Sequence, residues 1–215
     1  MMNRRHFLFA SASLALLPAI ARAQGGPLDL SARLFQVIDA MDVEHHWPAG
    51  VHIEWESGEP DGKPVSSEGK HTHCSAFVAS VAKRLGIYVL RPPDHGQALL
   101  ANAQFEWLLT DGQAEGWMQL ADMAAAQDAA NQGQLVLAAY HNHKDDKPGH
   151  IAIVRPGTKS SSQLAAEGPD ITQAGLDNFR VTTVKKGFAD HKSAFAGDEI
   201  LYFAHAVDPA ALASQ

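Results

Sequence analysis

The residue type with the clearest chemical meaning in this chain is its single cysteine. Cys74 is the only cysteine among 215 residues, and it stands where an apolar helical pattern begins. Further along the chain, His150 opens a β-like apolar run. A helix N-terminus and a nearby imidazole both favour the thiolate, which is the nucleophilic form of cysteine. The two residues therefore predict a thiol-dependent hydrolase in which the pKa of Cys74 lies below its ordinary value.

The histidine-rich surroundings of these two residues allow other interpretations. Four further histidines lie close to them in the sequence: His71, His73, His141 and His143. With Cys74 they could form a zinc site, although structural zinc sites usually have closer ligands or more thiolates. Cys74 could also be a small buried apolar residue, because free cysteines are among the most buried residue types. We predict no metal and no other cofactor, and we expect His73 to lie beside an oxyanion site.

Residues 1–23 have the composition of an export signal. Arg4 and Arg5 precede an apolar stretch at residues 9–20, and residues 21–23 supply the small side chains at which a signal peptidase cuts. The paired arginines also resemble the signal for export of folded proteins. We expect a mature protein that begins near Gln24, that lies in the periplasm or is secreted, and that has no membrane anchor.

The remaining residues, 24–215, have the length of one domain with a well-buried core. The formal net charge of −7 becomes about −10 when the arginines at positions 4, 5 and 22 are removed. This acidity disfavours nucleic acids and anionic membranes as partners. Exported proteins normally use cysteines in pairs, so an unpaired Cys74 would be unusual there without a chemical role. The sequence gives no indication of the oligomeric state.

The elements that must position Cys74 and His150 follow from the apolar periodicity. Helical spacing predicts helices at residues 30–43, 74–85, 95–109 and 120–131, and β-like runs predict strands at 135–140, 150–154, 171–174, 181–184 and 199–203. We expect a solvated loop at residues 57–70, a serine-rich loop near Ser160, and a solvent-facing position for Asn102 and Gln104. Helices followed by antiparallel strands predict an α+β fold.

The order of these motifs resembles the papain-like cysteine hydrolase superfamily. The resemblance rests on Cys74 at a helix start, on the strand Gly149-His150-Ile151-Ala152-Ile153-Val154, and on a polar residue on the next strand. Within the superfamily, residues 72–178 are most similar to bacterial cell-wall hydrolases of the NlpC and CHAP types. The resemblance implies helices packed on a mostly antiparallel sheet, and cleavage of peptide or amide bonds in peptidoglycan stem peptides. Cys74 would be the nucleophile, and His150 the general base and then the general acid.

The resemblance also implies a third residue that orients His150. In CHAP-like proteins a Glu or Asn on or just after the next strand holds the imidazole, and Gln173 is the nearest match here, with Asn178 second. A glutamine would fix the tautomer through its carbonyl without adding charge. Glu167 and Asp170 are further candidates for this role.

The sequence therefore predicts an exported cysteine hydrolase that cleaves an amide bond, with peptidoglycan or another peptide as its substrate. Two alternatives of other classes stay open: a non-catalytic periplasmic binding module on the same scaffold, and a histidine- and cysteine-based metal-binding protein. A transferase that passes the thioester to an amine also stays open, since hydrolysis and transfer differ in water exclusion.

Overall fold

The computed structural model describes residues 27–65, 71–144 and 146–213. The export signal predicted at residues 1–23 lies outside this part of the chain. The described residues form an α+β fold around one six-stranded sheet, in which every neighbouring pair of strands is antiparallel and the order is β1-β6-β2-β3-β4-β5. The strands are β1 Met118–Leu120, β2 Leu135–Tyr140, β3 His150–Val154, β4 Asp170–Gln173, β5 Phe179–Thr183 and β6 Leu201–His205. The α+β prediction is confirmed.

Seven helices are present in the described residues. They are α1 Pro27–Asp39, α2 Cys74–Arg84, α3 Leu100–Leu109, α4 Met123–Asn131, α5 Ser161–Glu167, α6 Val184–Gly187 and α7 Pro209–Ala213. Within the described ranges, none of these helices is long and apolar enough to cross a membrane.

The sheet is covered on both faces, which explains why its central strands are apolar throughout. All six residues of β2 and all five of β3 are buried. On one face, here called the α2 face, Leu137, Ala139 and Ile151 belong to the same core cluster as α2. On the other face, here called the α4 face, Ala138 and Tyr140 belong to a second cluster with α4 and with residues that follow α6. Alternate residues of each strand therefore pack into different cores.

Helix α2 is the central helix, as its apolar spacing predicts. Its residues from Cys74 to Ala82 are all buried, and the helix continues to the basic pair Lys83 and Arg84. These two cations lie at the negative end of the helix dipole, where they are favourable. The chain then leaves the helix through Gly86, which has a φ of +71°, a backbone conformation that glycine adopts without steric cost.

Most predicted elements are present with shifted ends, and one predicted loop is wrong. The serine-rich segment forms α5, because Ser160 and Gln163 make a capping box in which each side chain bonds the backbone N–H of the other. The short strand β1 and the short helices α6 and α7 have no counterpart in the sequence-based prediction, and the expected helix at 30–43 lies at Pro27–Asp39.

Candidate functional site

The structure joins His150 and Gln173 directly. The two residues lie on the neighbouring strands β3 and β4, and Nε2 of His150 is 2.9 Å from Oε1 of Gln173. Because a carbonyl oxygen only accepts, Nε2 must carry the imidazole proton, and Nδ1 of the neutral ring holds the free lone pair. The amide group of Gln173 is fixed in this orientation, since its Nε2 donates to the carbonyl of Asp177 at 3.2 Å. Gln173 therefore has the contact that the sequence assigned to it.

Aromatic rings and glycines enclose this hydrogen bond. The ring of Phe188 meets the imidazole edge-on at 4.6 Å between centroids, and the ring of His191 lies nearly parallel to it at 5.8 Å. At Gly187, a side chain would collide with Oε1 of Gln173. His150 and Gln173 are both buried. Burial lowers the pKa of His150, and the hydrogen bond that His150 donates to Gln173 and the charge of Asp190 oppose this shift.

Cys74 is the first residue of α2, and its side chain is buried. Backbone N–H groups of Ile151, Ser75 and Cys74 itself lie at the sulfur and lower the pKa of the thiol. Burial acts in the opposite direction and is the larger effect, so the pKa of Cys74 is raised. The expectation of a lowered thiol pKa is therefore wrong for this structure. It was based on the helix terminus alone, and the loss of water around the sulfur has the larger effect.

Cys74 meets strand β3 one residue beyond His150. Since strand side chains alternate, Ile151 and His150 point to opposite faces of the sheet. Cys74 packs with Ile151 in the α2-face core, whereas the His150 ring contacts Phe188 on the α4 face. Among the described residues, no hydrogen bond joins the sulfur of Cys74 to the imidazole. The thiol is thus next to the backbone of the histidine strand, and direct proton transfer needs a side-chain rotation or an intervening water.

The pKa shifts describe the resting protonation state of the two groups. The pKa of Cys74 is raised and the pKa of His150 is lowered, in both cases mainly by burial. Both shifts favour the uncharged form. The two groups therefore rest as a neutral thiol and a neutral imidazole, and not as an ion pair.

Asn178 has a different role from Gln173. Its Nδ2 lies 2.8 Å from the carbonyl of Val43, 2.7 Å from that of His46 and 3.2 Å from that of Trp47. Its Oδ1 accepts from the N–H of Gly175 at 2.9 Å. All of these partners are backbone groups. The alternative in which Asn178 orients the imidazole is therefore not what the structure has, and Asn178 instead ties the loop after α1 to the turn after β4.

The other candidates from the sequence are also engaged elsewhere. Glu167 and Asp170 both pair with Lys159, at 2.9 and 2.7 Å. His73 precedes α2 without capping it, and its Nε2 lies 2.9 Å from the carbonyl of Val51. The histidines at 141 and 143 pair with two separate glutamates, Glu106 and Glu199. Within the described ranges no three of the potential metal-ligating side chains come together as a metal site.

The prediction of a solvent-facing position was wrong for one residue near the thiol. Gln104 is fully buried, and its Nε2 donates to the carbonyl of Ser75 at 3.1 Å and to that of Leu90 at 2.9 Å. It thereby holds the first turn of α2. The signal was present, because Gln104 lies four residues from both Leu100 and Leu108 and shares their buried face. Asn102 is also buried, where it binds the carbonyl of Lys147.

The segment after α6 was also missed. Phe188 and His191 reach the imidazole from this segment, and no spacing in the sequence relates them to His150.

Neither a scan against protein-family models nor a search of the curated proteins found a match for this chain.

Proposed function

We propose that the protein is a papain-like cysteine hydrolase that cleaves an amide bond, with Cys74 as the nucleophile and His150 as the base. The observation that supports this proposal is the 2.9 Å bond between Gln173 and Nε2 of His150. A buried imidazole whose Nδ1 lone pair is set by a neutral acceptor on its other nitrogen is suited to general-base chemistry. The position of Cys74 at the N-terminus of α2, against the next residue of the histidine strand, supplies the nucleophile.

The reaction proceeds through a thioester. The thiol proton passes to Nδ1 of His150 through an intervening water or after a side-chain rotation, as the sulfur of Cys74 attacks the substrate carbonyl carbon. The carbonyl oxygen becomes an oxyanion that the backbone N–H of Cys74 stabilises. The imidazolium then returns its proton to the leaving amine as the C–N bond breaks. A water, deprotonated by Nδ1, attacks the thioester and releases the acid and the thiol. The hydrogen bond from Nε2–H of His150 to Gln173 is kept through both steps, so Nδ1 is the nitrogen that exchanges protons.

The resting state fits a base-assisted attack. With both groups neutral, proton transfer and attack occur together, and no stored thiolate is needed. Because Cys74 is only 4% exposed, a substrate carbonyl reaches the sulfur after the side chains around it move. We propose peptidoglycan stem peptides as the substrate and the periplasm or the cell exterior as the place of action, on the sequence resemblance and the residues at 1–23.

The test is mass spectrometry of purified peptidoglycan after incubation with the protein. We expect new amino and carboxyl termini, which identify the cleaved bond, and we expect none with Cys74→Ala. Ser80→Ala, a buried change further along the same helix, is the matched control and should keep the activity. Product formation that survives Cys74→Ala would remove the thioester route. Absence of products from peptidoglycan and from a panel of amide substrates would contradict the hydrolase proposal.

A second candidate has one observation in its favour. The buried sulfur with a raised pKa is also what a structural cysteine in a non-catalytic binding module would show. The two candidates differ in the alkylation of native protein. A hydrolase should be modified by iodoacetamide at Cys74 while folded, at a rate that His150→Ala lowers. A structural cysteine should react only after unfolding.

A further inference from the structure

Two ring side chains from one short turn contact the imidazole of His150 on the α4 face. Phe188 and His191 begin and end this turn, which the N–H of His191 closes by donating to the carbonyl of Phe188 at 2.9 Å. The Phe188 ring meets the imidazole edge-on, with 4.6 Å between centroids. The His191 ring is inclined by only 24° to the imidazole plane, at 5.8 Å. The turn therefore presents two rings of different orientation to one imidazole.

His191 also contacts the residue that lies opposite His150 in the sheet. Tyr140 of β2 and His150 of β3 are register partners, and the ring centroid of His191 lies 5.1 Å from that of Tyr140. The Tyr140 hydroxyl is 3.5 Å from Oγ of Ser193, two residues after His191. Because Tyr140 is buried, its ring is a fixed surface against which the His191 ring packs. The structure thus holds His191 over the Tyr140–His150 pair.

The hydrogen bond to Gln173 does not by itself determine the orientation of the imidazole. It fixes the position of Nε2, but the terminal torsion of a histidine has broad minima, so one hydrogen bond leaves the plane of the ring free to tilt. A tilt changes the direction of the Nδ1 lone pair. Catalytic groups are held within about 10–20° of their working geometry by side chains that pack against them. A contact on the face of the imidazole supplies this restraint.

We propose that His191 is a positioning residue, whose ring holds the plane of the His150 imidazole so that the Nδ1 lone pair keeps one direction. This role rests on the proposed function, in which His150 is the base. Gln173 fixes the tautomer, and Phe188 closes one side of the imidazole. His191 aligns the plane, because stacked ring faces have a preferred mutual orientation that an aliphatic side chain of similar volume does not impose. No proton passes through His191 in this role.

The first measurement observes the imidazole directly and needs no substrate. Long-range proton–nitrogen NMR spectra of histidine-labelled protein report the tautomer of His150, whose signals are identified by their loss in His150→Gln. We expect the Nε2-protonated tautomer alone in the unmutated protein and in His191→Phe, which keeps a flat ring. His191→Leu fills the space without a flat face. It should show both tautomers in exchange, because an imidazole that is free to tilt loses its bond to Gln173 for part of the time.

The second measurement is steady-state kinetics on a cleavable amide substrate. His191→Leu should lower kcat by about twofold to tenfold, the effect of losing one aromatic contact, and it should leave KM unchanged, because the direction of the base affects the chemical step. His191→Phe should restore kcat. Lys192→Ala is the matched control, since this neighbouring side chain is exposed, and it should change neither the NMR spectrum of His150 nor kcat.

A single His150 tautomer in His191→Leu would overturn the positioning role, whatever the activity. Equal loss of kcat in His191→Phe and His191→Leu would also overturn it, because the ring nitrogens would then be required and not the ring plane. If the unmutated protein cleaves no amide, the hydrolase proposal fails, and the tautomer of His150 in the two variants still decides the role of His191. Circular dichroism checks that each variant folds. His191→Gln, which also has no flat ring, replaces His191→Leu if the leucine variant does not fold.

Discussion

The end of β4 and the turn that follows it carry two amide side chains with opposite functions. Gln173 makes a bond to a side chain, the imidazole of His150, and its second contact is the carbonyl of Asp177. Asn178, five residues later, bonds only to backbone groups, three of them in the loop after α1. From the sequence, both residues were candidates for the residue that orients the imidazole of His150.

The difference between the two amides lies in which part of the fold depends on them. The bond of Gln173 determines the tautomer of one ring, so its loss changes a proton position next to the proposed base, and it leaves fewer backbone groups unpaired than the loss of Asn178 does. The bonds of Asn178 hold a loop that lies more than 130 residues before it in sequence, so its loss leaves several backbone groups unpaired. We therefore expect effects on chemistry at Gln173 and on stability at Asn178.

Of the two amide substitutions, Gln173→Ala should produce the larger change in activity. Without the acceptor, the proton on the imidazole is no longer confined to Nε2 and the ring is free to rotate, so kcat should fall by roughly tenfold to a thousandfold. Steady-state kinetics on a cleavable amide substrate measure this change. Added to Cys74→Ala, the same substitution should cost little more, since members of one catalytic unit are non-additive. An unchanged kcat would mean that His150 works without an orienting residue.

Asn178→Ala should have the opposite profile. Its removal leaves the Gly175 N–H and the carbonyls of the loop without their partner, and we expect the free energy of unfolding to fall by about 2–3 kcal/mol. Denaturant titration followed by circular dichroism measures it. Activity of the remaining folded protein should change less than in Gln173→Ala. A damaging loss of kcat at full stability would transfer the orienting role to Asn178.

Gly187→Ala disturbs the Gln173 bond without altering the glutamine. The new methyl group would collide with Oε1 of Gln173 and with Cδ1 of Ile171, so the amide must move away from the imidazole. We expect kcat to fall by about threefold to thirtyfold, less than for deletion of the amide. Gly96→Ala is the matched control, because no atom lies within 4 Å of the added carbon. Equal activity in the two variants would show that the pair tolerates displacement.

Local patterns predicted the scaffold of the site well. The buried run of β2, the strand opened by His150 and the helix that begins at Cys74 all follow from periodicity, because one face or both faces of each element are apolar. Gln173 was found because it lies on the strand next to His150. The loop predicted near Ser160 was wrong although the sequence held the signal for a helix, because a serine three residues before a glutamine makes a capping box.

The remainder depended on contacts between distant residues. Whether burial or the helix terminus controls the pKa of Cys74 is decided by how completely the α2-face core surrounds the sulfur, and no local pattern reports that. The stacking of His191 on His150 joins a strand to a segment some forty residues later. The separation of Cys74 and His150 onto different cores follows from strand alternation, but only once it is known which face α2 covers.

The smallest expected effect is a pH dependence of stability that separates the two amide regions again. The pKa of His150 is lowered in the folded protein, so between the folded and unfolded pKa values the unfolded chain holds more protons. The contribution of His150 to the free energy of unfolding is complete above about pH 6.5, the ordinary pKa of histidine. It is lost as the pH falls from there towards the lower pKa of the folded protein.

Denaturant titrations at a series of pH values measure this slope, which for one proton is at most about 1.4 kcal/mol per pH unit. His150→Gln should reduce it. The hydrogen bond that His150 donates to Gln173 raises the pKa of His150, so Gln173→Ala should extend the loss of stability to lower pH. Asn178→Ala lowers stability at every pH, and because its partners are backbone groups that do not titrate, it should leave the slope unchanged. A slope that Asn178→Ala alters as much as Gln173→Ala does would show that the two regions are one cooperative unit.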